Sequence, residues 1–323
     1  MRSDARLLLI DKNAVDALLD PVEVLQAVRE SFELHSHREG RVFPVIREQL
    51  ATGGIFGIKA GDVPSQHLLG FKAAGFWPAN RTAGGEPHQA TVMLFDPATG
   101  RPQCVIDGNT ITTVRTGAAG ALGLQLLARP ESQSLTVFGT GVQAKSQLAF
   151  ALRTLPRMRH VRYVSVDRHP DPAFESEFAE RCDVSCASDA NAAVRESDVI
   201  ITATPGGGPL FAADAVRAGT HLNCVGADTR GKRELPEGLL EKVRLIVDDV
   251  QQARQLGELQ WTSDALCQEL GDLVSGKADF TRVADDITVF DMTGLALQDL
   301  TVARLIYQKA ITNHAGQSIA WPW

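Results

Sequence analysis

The chain contains no Cys-x-x-Cys pair, no His-Glu-x-x-His segment and no other histidine spacing that would seat a metal, so no structural metal is expected. Its five cysteines (Cys104, Cys182, Cys186, Cys224 and Cys267) are odd in number and read as reduced, buried thiols, not as a disulfide framework. There is no basic run, and a net charge of −7 argues against a nucleic-acid partner. No apolar stretch approaches the roughly 20 residues of a membrane span, so no membrane partner is expected. The N-terminal stretch MRSDARLLLIDKNAV holds only a short apolar run before charges resume, too short for a signal-peptide core. The expectation is a cytoplasmic protein. No internal repeat or low-complexity segment is visible. What is present is ordinary globular composition, 44% hydrophobic and 22% charged, over 323 residues, enough for two domains.

One stretch stands out, Leu135 to Asp167. The apolar run Leu135 to Phe138 reads as a buried strand. It runs into Gly139-Thr140-Gly141-Val142-Gln143-Ala144, a G-x-G-x-x-A turn. Val142, Leu148, Leu152 and Leu155 mark a helix closed by Pro156, and Val161 to Val166 reads as the next strand. Strand, turn, helix and strand are the order of a dinucleotide-binding unit. Gly139 permits the tight turn, Gly141 lets backbone approach a pyrophosphate, and Ala144 permits close helix–strand packing. The helix start offers free N–H groups and positive dipole to phosphates. Asp167, 23 residues past Ala144, is placed to accept from a ribose 2′-OH. That favours NAD(H) over NADP(H), because a carboxylate repels a 2′-phosphate; Arg168 beside it pulls the other way.

The rest of the chain fits around this unit. Asp20-Pro21-Val22-Glu23 is a helix start, with Gly40 as the expected stop. From Arg41 to about Asp107 short strand-like runs alternate with turns, which reads as an antiparallel sheet. A second helix is expected over about 112–128. Beyond Asp167, helical and apolar strand segments alternate as in a doubly wound sheet, and a last helix runs from Gln298 to Ala310. Polar residues follow the carboxyl ends of several strands: Thr204, Asp228 and Asp291. In open α/β sheets that edge binds ligands. Trp321 and Trp323 are expected to pack, a partner subunit being one option.

The stretches Leu69-Gly70-Phe71-Lys72, His88 to Asp96, Asp107-Gly108-Asn109 with Arg115-Thr116, the glycine turn, Val225-Gly226-Ala227-Asp228 with Gly231-Lys232 and Glu234-Leu235, and Asp291-Met292-Thr293-Gly294 resemble the ornithine cyclodeaminase/μ-crystallin family. The resemblance covers about 40–300. It implies an α/β fold: a Rossmann doubly wound NAD-binding domain over about 117–292, plus an α+β substrate and dimerisation domain of 1–116 completed by 293–323. It implies a homodimer and hydride exchange at the α-carbon of an amino or imino acid. The alternatives within it are a net imine reductase, an ornithine cyclodeaminase-type lyase that recycles its cofactor, a cyclic ketimine (pyrroline-2-carboxylate) reductase, and a μ-crystallin-like binding protein. By motif, Arg115 corresponds to the arginine that holds the substrate α-carboxylate, a role its planar fork suits. Lys72 corresponds to the active-site lysine and Asp228 to the aspartate facing the substrate nitrogen. Arg41 lies near a second carboxylate-binding arginine. Val225 falls in the cofactor set, and Thr116, Thr204 and Asp291 either touch the cofactor or serve as turn and cap residues.

Two departures from that pattern bear on the substrate. Ile58-Lys59-Ala60-Gly61 stands where relatives commonly carry a Met-Pro stretch, adding a cation on the expected substrate side. The acid used by ornithine cyclodeaminases has no clear counterpart, Gly57 standing near its place. Both point away from a diamino acid and toward a second carboxylate, with iminosuccinate reduced to aspartate as the leading candidate. Lys59 paired with Glu48 or Asp62 is the competing reading.

Overall fold

The computed structural model describes residues 5–262 and 265–322; Trp323, and Met1 to Asp4 of the N-terminal stretch read above, lie outside them. The chain forms two compact units, Met1–Arg115 with Leu295–Trp323, and Thr116–Gly294. In the first unit, β1 (Arg6–Ile10) leads into α1 (Lys12–Leu18) and α2 (Pro21–Ser36). Asp20 caps α2, accepting from the backbone N of Val22 at 2.7 Å and of Glu23 at 3.2 Å, with Pro21 in the first turn. The expected stop at Gly40 is corrected: α2 ends at Ser36, and Arg38 takes the left-handed conformation at φ 59°. Gly40 serves packing instead, since a Cβ there would lie 2.6 Å from Leu297 Cδ1.

Next come β2 (Arg41–Val42), β3 (Ile46–Gln49), β4 (Ile55–Val63), β5 (Leu68–Phe76), β6 (His88–Phe95), β7 (Pro102–Asp107) and α3 (Gly108–Leu127). The boundary between the units falls inside α3, after Arg115.

The second unit holds β8 (Ser134–Phe138), α4 (Val142–Thr154), β9 (His160–Val164), α5 (Pro172–Phe178), β10 (Asp183–Cys186), α6 (Ala190–Arg195), β11 (Val199–Thr202), β12 (His221–Cys224), β13 (Arg244–Val247), α7 (Val250–Leu256), β14 (Cys267–Glu269), α8 (Leu270–Val274) and β15 (Thr288–Asp291). The chain then returns to the first unit with α9 (Ala296–Thr312) and β16 (Gln317–Ala320).

The first unit's sheet runs β16-β1-β7-β6-β5-β4-β2, with β3 also on β4. All its pairs are antiparallel except β1 with β7. Side chains alternate across the sheet, and α9 packs over β4, β5 and β6 with α2 behind it. The second unit's sheet is parallel throughout, in the order β10-β9-β8-β11-β12-β15-β13-β14. From β8 the chain steps outward to β9 and β10, then returns to the other side of β8 as β11. The switch point, where doubly wound sheets bind ligands, lies beyond the carboxyl ends of β8 and β11.

Within the second unit the carboxyl-terminal part of α3 approaches the sheet and α4 very closely. A Cβ at Gly120 would sit 2.0 Å from Gln147 Oε1, and one at Gly123 would sit 2.6 Å from Phe290. No helix among the described residues is long and apolar enough to cross a membrane. All five cysteines are free, but Cys186 and Cys267 are only partly buried, unlike the expectation for them.

Candidate active site

Within the first unit, three cations expected from the sequence come together in one buried cluster. β4 and β5 pair with Lys59 directly opposite Lys72. Strand alternation turns both inward, leaving them 9% and 4% exposed. Arg115 reaches the same place from α3. Their common partner is Asp299 on α9, a residue not singled out from the sequence. Lys72 Nζ donates to Asp299 Oδ1 at 2.8 Å, and Arg115 Nε donates to the same oxygen at 3.0 Å. Arg115 Nη1 donates to Gln298 Oε1 at 2.9 Å, while its Nη2 takes no partner among the described residues. The second oxygen of Asp299 is buried without a hydrogen bond.

One carboxylate thus bridges two buried cations with a third charge close by. Burial pushes the Lys72 ammonium down to about 7, helped by the charges of Arg115 and Lys59 and opposed by Asp299. Burial alone would raise the Asp299 carboxyl, but Lys72 and Arg115 outweigh it and hold it below the usual range. An amine balanced near neutral pH can give or take a proton, and a guanidinium with a free nitrogen can grip a carboxylate.

Arg41 does not join this cluster. On the short edge strand β2 it stands opposite Asp62. Its Nε donates to Asp62 Oδ1 at 2.8 Å and its Nη2 to the other oxygen, so its fork is occupied in solvent. Asp62 is thereby engaged by Arg41.

Within the second unit the glycine turn lies at the switch point. Gly139 has φ 101°, and a Cβ there would lie 2.7 Å from the Ala203 carbonyl oxygen, so the turn itself requires glycine. Gly141 is different. It caps α4 with φ −76° and ψ −178°, which any residue adopts, and a Cβ would meet nothing within 4 Å. Among the described residues nothing fills the space beside Gly141, as a close-approaching phosphate requires. Val142, at the first position of α4, is exposed although apolar, and Gln143 follows it. The Phe174 N–H, and then Thr140, hold the Asp171 carboxyl below its usual range.

β9 ends at Val164, two residues earlier than expected, and Asp167 stands in the exposed turn that follows. The backbone N–H of His169 holds the Asp167 carboxyl below its usual range. Arg168, at φ 60°, lines an open cleft with Ser188, Asp189, Asn191 and Leu210.

Asp228, past the end of β12, receives Lys232 Nζ at 2.7 Å and the Thr229 hydroxyl at 3.0 Å. Val225 precedes it, half-buried, its N–H donating to Thr202 O. Thr116 is buried in α3, its carbonyl accepting from Gln147 Nε2 at 2.8 Å.

Thr204 and Asp291, left open as cofactor contacts or as turn and cap residues, are both engaged inside the unit. The Thr204 hydroxyl and N–H both donate to Glu234 Oε1, at 2.6 and 2.7 Å. Asp291 is fully buried, accepting from Leu259 N at 3.2 Å. Burial, and then the charge of Glu258, push its carboxyl well above the usual range. A polar residue at a strand end faces the ligand edge or the interior according to the loop that covers it.

Known proteins show what the chain is similar to. The chain is 32% identical to the iminosuccinate reductase of Paracoccus denitrificans, over 97% of this chain and 99% of that one. It is equally, 32%, identical to the alanine dehydrogenase of Archaeoglobus fulgidus, over 97% and 98%. Among solved structures, an archaeal alanine dehydrogenase dimer with bound NAD superposes with a TM-score of 0.91 at 30% identity, covering 98% of this chain and 100% of that one. The family pattern named "Ornithine cyclodeaminase/mu-crystallin family" matches residues 9–314, and the chain belongs to that family.

Proposed function

We propose that this protein is an NAD(H)-dependent oxidoreductase that reduces the C=N bond of a small imino acid to an amino acid, with iminosuccinate to aspartate as the leading reaction. The observation that carries this reading is the buried cluster of Lys59, Lys72 and Arg115 around Asp299. In this reading Arg115 binds the α-carboxylate through its remaining nitrogen, and Lys72 gives or recovers the proton. Asp228, held by Lys232, carries the second proton-handling role, and Lys59 receives a distal carboxylate. Gly139, Gly141 and the start of α4 hold the dinucleotide phosphates, and the ionised Asp167 accepts from a free ribose 2′-OH. The cofactor, when bound, supplies or accepts the hydride; the chain's residues position the substrate and move the protons. A homodimer is part of the proposal. It is supported by the dimeric alanine dehydrogenase relative and by Ile58, Phe71, Met93 and Phe95, which are only half-buried on the sheet face opposite Lys59 and Lys72.

A second reading has a specific basis: the identity to alanine dehydrogenase equals that to iminosuccinate reductase. A monocarboxylic imine would then be the substrate. Oxidation of NADH in the presence of ammonia, with oxaloacetate compared against pyruvate, separates the two. Preference for pyruvate would refute the dicarboxylate. Loss of NADH with neither substrate, nor with a cyclic imino acid, would favour a binding protein, and ammonia release from ornithine without net NADH change would favour a lyase.

A further inference from the structure

The loop from Gly226 to Leu235 carries Asp228 and Lys232, and an unusual group closes it. Glu234 is fully buried at the loop's end. Its carboxylate accepts from the Thr202 hydroxyl at 2.7 Å, the Thr204 N–H at 2.7 Å, the Thr204 hydroxyl at 2.6 Å and the Gly226 N–H at 2.8 Å. Those donors sit on or just past the ends of β11 and β12. The fit is tight, because a Cβ on Gly226 would lie 2.4 Å from Glu234 Oε1. The backbone around Glu234 is fixed in turn: Glu258 Oε1 accepts from Glu234 N at 2.6 Å and Leu235 N at 3.2 Å. The far side of the loop is gripped by the same short segment. Gln260 Oε1 accepts from Gly231 N at 2.7 Å, and Trp261 Nε1 donates to Lys232 O at 2.8 Å.

We infer that Glu234 is a positioning residue: its carboxylate clasps the ends of β11 and β12 and so holds the Asp228 loop in its reactive conformation. The inference rests on the proton-handling role proposed for Asp228. Donors surround Glu234, which explains why a carboxylate and not an amide stands there. In Glu234→Gln the amide nitrogen replaces one acceptor oxygen and, whichever way the amide turns, meets the backbone N–H of Gly226 or of Thr204, donor against donor. Gly226 lies two residues from Asp228, so the disturbance reaches the loop directly.

The test compares the unmutated protein with Glu234→Gln and with Thr202→Val, which keeps Glu234 but removes one donor. Folding is monitored by circular dichroism, loop order by amide hydrogen exchange over 226–235, and chemistry by steady-state NADH oxidation. In folded Glu234→Gln, loop exchange is expected to rise about tenfold, and kcat to fall about tenfold or more while KM for the imino acid changes little. Thr202→Val moves both readouts in the same direction by less. Unchanged exchange, or faster exchange with unchanged kcat, in a folded variant overturns the inference. If Glu234→Gln does not fold, Thr202→Val decides on the same two readouts. An unmutated protein without turnover refutes the oxidoreductase reading by itself, and the exchange comparison still decides whether Glu234 clasps the loop.

Discussion

Asp299→Asn tests the electrostatics of the cation cluster. The substitution keeps the shape and one acceptor oxygen but removes the charge shared by Lys72 at 2.8 Å and Arg115 at 3.0 Å. At about 3 Å and an effective dielectric near 20, each attraction is about 5–6 kcal/mol before desolvation is counted. Asp299 itself regains the several kcal/mol that burying its charge consumes. Lys72 escapes by losing its proton, since Asp299 is what raises its pKa. The expected net loss of stability is on the order of 3–5 kcal/mol, as when a buried pair loses one partner.

The loss depends on pH, with a definite sign. In the folded protein Lys72 titrates near 7, below its ordinary value of 10.5. Unfolding therefore takes up a proton between those two values, and stability from this group rises with pH across that window. Without Asp299 the folded pKa drops further, and the window extends below 7. The variant should lose more stability at about pH 6, where Lys72 would otherwise be a paired cation, than at about pH 9, where it is neutral in both proteins. Urea unfolding at the two pH values measures this. A loss under about 1 kcal/mol at pH 6, or one equal at both values, would refute the coupled cluster.

Four further predictions concern the glycine turn, Lys59 and Asp167. Gly139→Ala should destabilise the fold by about 1–2 kcal/mol or more, because its φ of 101° and the close Ala203 carbonyl admit no Cβ. Gly141→Ala should change stability by less than about 0.5 kcal/mol yet weaken NADH binding about tenfold; equal thermal shifts in the two variants would contradict the phosphate assignment. Lys59→Met should lose on the order of 2 kcal/mol in kcat/KM for a dicarboxylic imine and little for a monocarboxylic one, and equal losses would sink the distal-carboxylate role. The unmutated protein should favour NADH through Asp167; a tenfold or greater preference for NADPH in apparent KM would show that Arg168 governs the choice.

The glycine turn with its flanking strand and helix was legible because backbone chemistry there is local: a left-handed turn at Gly139, an apolar strand before it, a 3.6-residue period after it. The cap at Asp20 was legible for the same reason. The strands β1, β3 and β16 were not: β3 (Ile46–Gln49) and β16 (Gln317–Ala320) are too polar to mark themselves, and β1 is set by partners distant in sequence. The partner of Leu9 is Gln317, at the other end of the chain. The candidate site divides in the same way. Lys72 and Arg115 could be named from motifs and Lys59 from a departure beside them, but β4–β5 register put the two lysines face to face, and α9 brought Asp299 to Lys72 from 227 residues away. Arg41 was drawn off by its cross-strand neighbour, and Thr204 and Asp291 were turned inward by Glu234 and by the loop at Leu259. Periodicity and turn residues determine which elements form, since those energies are set by neighbours in sequence. Which charges lose their water, and which carboxylate they then share, is decided only when distant segments pack, because desolvation and Coulomb energy depend on distance in space.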